Sequence, residues 1–119
     1  MAIRGIGSDI VEVSRINRLR ERYGSRFLKR VFTKGETAYC ESKEHPETHY
    51  AGRFAAKEAI AKAAYQSGYD KIIPFSDIEI LNDTEGRPMV SLLTPIKGNC
   101  LVTISHEHSM AIAFAILEY

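Results

Sequence analysis

The sequence has no tryptophan and only two cysteines among its 119 residues. Cys40 and Cys100 lie outside any CxxC or other ligand-spaced pattern, which argues against a thiolate metal site and is typical of reduced cysteines in a cytosolic protein. The longest apolar run, residues 110–117, is too short to span a bilayer, and residues 1–9 lack the pattern of a signal peptide. We therefore expect a soluble cytoplasmic protein with no membrane partner.

The chain also lacks a large charge of either sign. Its formal net charge is +1, with 26% charged and 45% hydrophobic residues. This composition predicts a single domain over residues 1–119 with one core. No aromatic residues are interleaved with the basic ones in the manner of a nucleic-acid reader, so we do not expect a nucleic-acid partner.

Helical periodicity dominates the first two thirds of the chain. A glycine-containing, partly alternating strand over residues 3–13 precedes a helix that we expect to be capped by Ser14 and to end at Gly24. Thr33 and Glu36 form a capping box for a further short helix. An alanine-rich helix is predicted from Pro46 to Ser67, with Gly68 as its stop.

The last third changes to strand periodicity. Alternation predicts strands at 77–82, 88–93, 99–106 and 109–117, with a turn at 83–88 and a hairpin tip at 106–108. The order of one strand, then helices, then antiparallel strands indicates an α+β fold. We expect an antiparallel sheet packed against the long alanine-rich helix.

Three charged residues stand out as candidates for chemistry. Glu58 and Lys62 are four residues apart on the long helix, and Asp9 lies on the apolar face of the first strand with Val11. Glycines at positions 5 and 7 would allow a close approach to that strand. Two carboxylates without nearby nitrogen or sulfur ligands suit Mg²⁺, and a lysine beside them suits a phosphate. Alternatively, Glu58 and Lys62 form a surface ion pair and Asp9 is a turn or capping residue.

A stripe of arginines marks the first helix. Arg15, Arg18 and Arg22 recur at helical spacing, and residues 14–30 contain seven basic side chains and one acidic one. A solvated helix face is the simpler interpretation of such a run. The clustering of one sign nevertheless favours an acidic protein partner.

Five blocks of sequence occur in an order that is more specific than any one of them. They are GIGSDIVEVSRI (5–16), FTKGETAYC (32–40), GRFAAKEAIAKA (52–63), NDTEGRPMV (82–90) and VTISHEHSMAIAFA (102–115). Together they cover nearly the whole chain. The sequence resembles the holo-acyl-carrier-protein synthases, which are the short type of 4′-phosphopantetheinyl transferase.

The resemblance implies Mg²⁺-dependent transfer of 4′-phosphopantetheine from coenzyme A to a serine of apo-acyl carrier protein, with release of adenosine 3′,5′-bisphosphate. Asp9 and Glu58 match the family's metal ligands and Lys62 matches its phosphate-contacting lysine, so these three are the expected catalytic residues. The serine proton would pass to Glu58 or to a metal-bound water. Family members bind coenzyme A between the subunits of a homotrimer.

The resemblance also implies which residues bind the substrates. Contacts to coenzyme A are expected at Arg53, Lys62, Gly86, Pro88 and His106. The helix that begins at Arg15 would dock the acidic carrier protein through Arg15, Arg18 and Arg22. The family usually has a glycine-rich turn where this chain has residues 64–68 with a single glycine, so we expect a longer helix or a reshaped rim of the site.

Two other function classes stay open when the residues are considered alone. A non-catalytic oligomeric module could bind a nucleotide or an acidic protein through the same surface, with Asp9 and Glu58 in structural roles. A metal-dependent phosphohydrolase could use the same carboxylates with water as the nucleophile. Incubation with coenzyme A, Mg²⁺ and apo-carrier protein distinguishes the three.

Overall fold

The computed structural model describes residues 1–119. In chain order its elements are β1 (Ile3–Glu12), α1 (Val13–Tyr23), α2 (Ser25–Val31), α3 (Lys34–Glu41), α4 (Pro46–Gln66), a 3₁₀ turn (Phe75–Asp77), β2 (Ile78–Asn82), β3 (Pro88–Leu92), β4 (Asn99–His106) and β5 (Met110–Glu118). The strands form an antiparallel sheet in the order β1-β5-β4 and a separate β2-β3 hairpin. The predicted α+β fold is confirmed, with the strands divided between two sheets.

Helix α4 packs directly against the backbone of β1. A Cβ atom added at Gly5 would lie 1.9 Å from the carbonyl oxygen of Ala63, and one added at Gly7 would lie 1.9 Å from that of Ala59. The close approach predicted at these glycines is therefore that of α4. Alanines on the helix and glycines on the strand bring the two backbones together, and this sets how far side chains of α4 reach across β1.

The inner face of the three-stranded sheet, which α4 covers, consists largely of small residues. Cross-strand neighbours in the order β1-β5-β4 include the row Gly7, Ala115 and Val102 and the row Asp9, Ala113 and Ile104. Asp9 shares this face with buried Val11, as predicted. In these rows it is the one acidic residue among small and apolar neighbours, so it needs a polar partner.

The outer face of the same sheet is apolar and open. Its rows are Ile6, Ile116 and Leu101; Ser8, Phe114 and Thr103; and Ile10, Ile112 and Ser105. Four of these hydrophobic side chains are more than half exposed: Ile6, Ile10, Leu101 and Phe114. We call this set of nine residues the outer patch.

Helix boundaries follow the predictions with one correction. Thr33 and Glu36 form the predicted capping box, and α4 ends at Gln66 with Ser67 as the C-cap and Gly68 at φ 106°. Ser14, however, is not an N-cap, because α1 begins at Val13 directly after β1. The backbone N–H of Val13 donates to the carbonyl of Ser109 at 2.9 Å. The turn between β4 and β5 therefore satisfies an N–H group at the start of α1 that a capping side chain would otherwise bind. None of the helices combines the length and the apolar character needed to cross a membrane.

Candidate active site at the junction of β1 and α4

Lys62 connects α4 to β1 at the position of Asp9. Its Nζ lies 2.9 Å from the Ser8 carbonyl oxygen and 3.2 Å from Asp9 Oδ1. The Lys62 side chain is 54% exposed and that of Asp9 is 20% exposed, so the lysine reaches the carboxylate from the solvent side. Lys62 pairs with Asp9, and the alternative ion pair with Glu58 does not form.

Glu58 faces the same carboxylate. Burial raises the pKa of Glu58, the negative charge of Asp9 raises it further, and Lys62 and Arg15 act in the opposite direction. Asp9, Glu58 and Lys62 therefore lie close together where α4 crosses β1. The two acidic side chains come from different elements, and their mutual repulsion is only partly offset by the lysine.

The donor set at this site fits a hard divalent cation. Asp9 and Glu58 offer carboxylate oxygens, and no group of three or more His, Cys, Asp or Glu side chains in the chain is arranged to enclose a metal ion. Mg²⁺ is commonly held by one or two carboxylates and completes its shell with water and substrate phosphate oxygens. A cation here would also relieve the repulsion that raises the Glu58 pKa, so the residues present fit Mg²⁺.

Arg15 lies at the border between this site and the basic face of α1. Its guanidinium is 5.7 Å from the centroid of the Phe54 ring, one helical turn before Glu58, and its charge acts on the Glu58 carboxyl. Arg18 and Arg22 are exposed further along the helix. The predicted carrier-docking arginines thus extend from the carboxylate pair outwards along α1.

Arg53 is buried and bound to β2. Its Nε donates to the Ile80 carbonyl at 3.0 Å and its Nη2 donates to Asn82 Oδ1 at 2.7 Å. The Asn82 side-chain amide donates in turn to the Gly86 carbonyl at 2.8 Å. Arg53 is therefore linked through Asn82 to the turn that leads from Gly86 to Pro88. Arg53, Gly86 and Pro88 are predicted contacts for coenzyme A.

His106 is connected to Arg53 by a series of ring contacts in which neighbouring rings meet edge to face. The Arg53 guanidinium lies 4.1 Å from the Tyr39 ring centroid, the Tyr39 and His49 rings are 5.7 Å apart, and those of His49 and His106 are 5.2 Å apart. Burial is the largest cause that lowers the pKa of His49, followed by the charges of His106, Arg53 and Lys43. These edge-to-face contacts place His106 at a cleft of about 520 Å³ that is also lined by Lys43 and His49.

Comparison with known proteins identifies the family. A profile of the 4′-phosphopantetheinyl transferase superfamily matches residues 5–115. The chain belongs to this superfamily. Over 117 residues it is 50% identical to a holo-[acyl-carrier-protein] synthase of Protochlamydia amoebophila, a match that covers 94% of this chain and 95% of the relative.

Solved structures of transferases from this superfamily share the fold. A holo-(acyl-carrier-protein) synthase of Bacillus anthracis, in complex with CoA (3′,5′-ADP), aligns with a TM-score of 0.82 and 34% identity, covering 98% of this chain and 96% of that one. The Helicobacter pylori synthase in complex with coenzyme A aligns with a TM-score of 0.81 and 33% identity, covering 95% and 99%. The predicted resemblance is confirmed, and the chain is an enzyme of the phosphopantetheinyl transferase family.

Sequence reasoning missed four residues that shape this transferase site. Asn82 joins Arg53 to the Gly86 turn, and Tyr39 and His49 form the edge-to-face ring contacts that lead to His106. Gln66 Oε1 accepts a 2.7 Å hydrogen bond from the Ile6 backbone N–H. Gln66 lies at i+4 from Lys62, and this spacing was the available signal. The other contacts join elements that are distant in sequence, which no local pattern indicates.

Proposed function

We propose that the chain catalyses the Mg²⁺-dependent transfer of 4′-phosphopantetheine from coenzyme A to a serine of apo-acyl carrier protein, with release of adenosine 3′,5′-bisphosphate. The observation that carries the proposal is the meeting of Asp9, Glu58 and Lys62 at one site in a member of this family. Relatives bear the name holo-[acyl-carrier-protein] synthase, and two solved ones hold coenzyme A or its adenosine bisphosphate part.

Each of the three residues has a distinct role in this proposal. Asp9 and Glu58 would hold Mg²⁺, which when bound supplies charge neutralisation to the phosphate oxygens of coenzyme A. Lys62 would release Asp9 and donate to a phosphate oxygen, because its exposed side chain can turn towards substrate. The nucleophile is the carrier serine, so the work of this chain is positioning and charge stabilisation.

Coenzyme A would lie along the cluster that begins at Arg53. The guanidinium is fixed by β2 and Tyr39, while its Nη1 makes no hydrogen bond within the chain and stays free to donate. Gly86 and Pro88 shape the adjoining turn, and His106 adds a ring nitrogen at the cleft. Cationic and ring-nitrogen donors of this kind suit a phosphomonoester such as the one on the adenosine of coenzyme A.

The acidic carrier would dock on α1. Two adjoining depressions of about 530 and 460 Å³ share Leu19 and Tyr23, and arginines border both of them. Arg15, Arg18 and Arg22 would attract an acidic helix, and the apolar floor would receive its hydrophobic side chains. Arg20 is used internally, because it pairs with Glu41 at 3.1 Å.

We also propose that the chain is a single transferase domain over residues 1–119 and forms a homotrimer through the outer patch. One core cluster draws residues from Val11 to Leu117, which supports the single domain. Exposed side chains such as Ile6 and Phe114 on an open sheet face support association with further copies. Cys40 and Cys100 are both unpaired, in keeping with the predicted cytoplasmic location.

The test is incubation of the chain with coenzyme A, Mg²⁺ and apo-acyl carrier protein, followed by mass spectrometry of the carrier. We expect a mass gain of one phosphopantetheine that requires Mg²⁺ and is lost in Asp9→Ala and Glu58→Ala. Native circular dichroism of both variants is the control for folding. Hydrolysis of coenzyme A without a carrier mass gain, or full transfer by either variant, would contradict the proposal.

A further inference from the structure

Lys57, the residue before Glu58, is a buried ammonium that no step of the proposed reaction uses. Its side chain has no exposed surface. Nζ lies 2.6 Å from the Val31 carbonyl, 2.7 Å from that of Ile78 and 2.8 Å from that of Phe75. These carbonyls belong to the end of α2, the start of β2 and the 3₁₀ turn just before β2. One amine therefore connects α4 both to α2 and to the chain that leads into β2.

Glu36 is the fourth acceptor and extends the network. Its Oε1 lies 2.7 Å from Lys57 Nζ and also accepts from the Thr33 backbone N–H at 2.9 Å, while Oε2 accepts from the Ile80 N–H at 2.8 Å. Both charged side chains are completely buried. An ammonium has three N–H donors, and four oxygens lie within hydrogen-bonding distance of it here, so every donor of the charged lysine has an acceptor.

The network fixes α4 on the side opposite β1. On one side, Ala59 and Ala63 touch the backbone of β1 at Gly7 and Gly5. On the other side, Lys57 ties the same turn of the helix to α2, α3 and β2. The helix is therefore held from two directions at the residues that flank Glu58.

Glu58 needs such a mechanical constraint because it faces Asp9. Two carboxylates at one site repel, and rotation of α4 would separate them. Lys57 and Glu58 are consecutive residues of α4, so any rotation of the helix at Lys57 also moves Glu58.

We infer that Lys57 is a positioning residue: its buried ammonium sets the rotation of α4 and thereby holds Glu58 against Asp9 in the geometry that binds the divalent cation. This inference rests on the proposed function. Residues that orient metal ligands without touching the metal commonly change metal affinity about 10- to 100-fold when they are replaced.

The test is Mn²⁺ binding, followed by electron paramagnetic resonance of the free ion, in the presence of coenzyme A and without carrier protein so that no transfer occurs. The first variant is Lys57→Met, which leaves the Glu36 carboxylate buried without its partner. The second combines Lys57→Met with Glu36→Gln, so that this buried charge is removed as well. Leu117→Ala is the control, because it opens a cavity in the core on β5 and lowers Tm without touching the network. All proteins are measured well below their own Tm.

We expect at least one folded Lys57 variant to bind Mn²⁺ about tenfold more weakly and to need correspondingly more Mg²⁺ for half-maximal transfer, with the KM for carrier protein unchanged. The control should bind Mn²⁺ like wild type. Wild-type Mn²⁺ affinity in every Lys57 variant that folds, or an equal loss in the control, overturns the inference. Failure of the wild-type chain to transfer phosphopantetheine instead overturns the proposed function, so the two failures are distinguishable.

Discussion

Ionisation of Glu58 has a cost to the folded chain that depends on pH. Burial and the Asp9 charge raise the pKa of this carboxyl in the folded state. A carboxyl whose pKa is raised by folding binds its proton more tightly in the folded state than in the unfolded state. Proton binding therefore stabilises the fold fully at pH values below the pKa of the unfolded state, and this stabilisation is lost as the pH rises through the pKa of the folded state. At pH 7, without a divalent cation, the Glu58 carboxylate therefore destabilises the fold.

Replacement of Glu58 by glutamine removes this cost. We expect Glu58→Gln to have a higher Tm than wild type at pH 7 in EDTA, with the difference shrinking as the pH falls towards 4 and the wild-type carboxyl takes up its proton. Differential scanning calorimetry across this pH range measures it. Asp70→Asn, at an exposed position beyond α4 where the side chain makes no hydrogen bond or ion pair, is the control and should leave Tm unchanged. A lower Tm for Glu58→Gln at pH 7 would contradict the assignment.

Single residues also show what the sequence could and could not predict. Asp9, Glu58 and Lys62 carry their own signal, since charge on an apolar strand face or at i, i+4 spacing is visible locally. Lys57 carries none, because it differs from a surface lysine only through acceptors 18 to 26 residues away. Glu36 was predicted for its capping box, while its bond to Lys57 spans 21 residues. Long-range burial of a charge is not visible in a local pattern.

At the scale of elements, the contact between β1 and α4 tolerates no added atom. A methyl group at Gly7 would overlap the Ala59 carbonyl, so Gly7→Ala must push the helix away from the strand. We expect a loss of ~3 kcal/mol in the free energy of unfolding, measured by urea denaturation. Ser8→Ala, one residue on and facing outwards, is the control and should cost about 0.5 kcal/mol or less. Equal stability of the two variants would show that the backbones are not in contact.

Helix α1 offers a separate prediction, for carrier binding. Charge reversal in Arg18→Glu should weaken the binding of an acidic partner by about 1 kcal/mol, which corresponds to an increase of about fivefold in the KM for carrier protein at low salt. The effect should fade towards 1 M salt, where the Debye length falls to about 3 Å. Lys97→Glu, an exposed reversal beside Tyr119 and away from α1, is the control. A KM that is unchanged at low salt would remove the docking role from Arg18.

Element boundaries were predictable where a local rule determines them. The capping box at Thr33 and the stop at Gly68 are such cases. The start of α1 was not, because its first N–H is satisfied by Ser109, almost one hundred residues away in the sequence. The separation of the β2-β3 hairpin from the larger sheet was likewise hidden, since strand periodicity does not state which strands pair.

At the scale of the whole molecule, the outer patch is the face through which we propose that the chain forms a trimer. Phe114 lies in its central row, with Ser8 and Thr103 on the neighbouring strands, and is 55% exposed. A charge there would be buried in any interface that covers the patch, so we expect Phe114→Asp to convert the proposed trimer into monomers. Sedimentation equilibrium measures the mass.

Met89→Asp on β3 is the control for this substitution, because Met89 is similarly exposed at 57% but lies outside the outer patch. It should sediment like wild type. If Phe114→Asp stays trimeric, or if the wild-type chain is monomeric at micromolar concentration, the outer patch is not the subunit interface.

β1 is an edge strand of the three-stranded sheet, and its edge affects the kind of assembly that the chain can form. Gln66 accepts from the N–H of Ile6 and Lys62 donates to the carbonyl of Ser8, so side chains of α4 occupy backbone groups that another strand would need. An unprotected edge recruits further strands one after another, and a sheet that grows in this way has no fixed end. Association across faces can close on itself by rotational symmetry. By occupying β1, the last turns of α4 favour an assembly of defined size over an open-ended fibre.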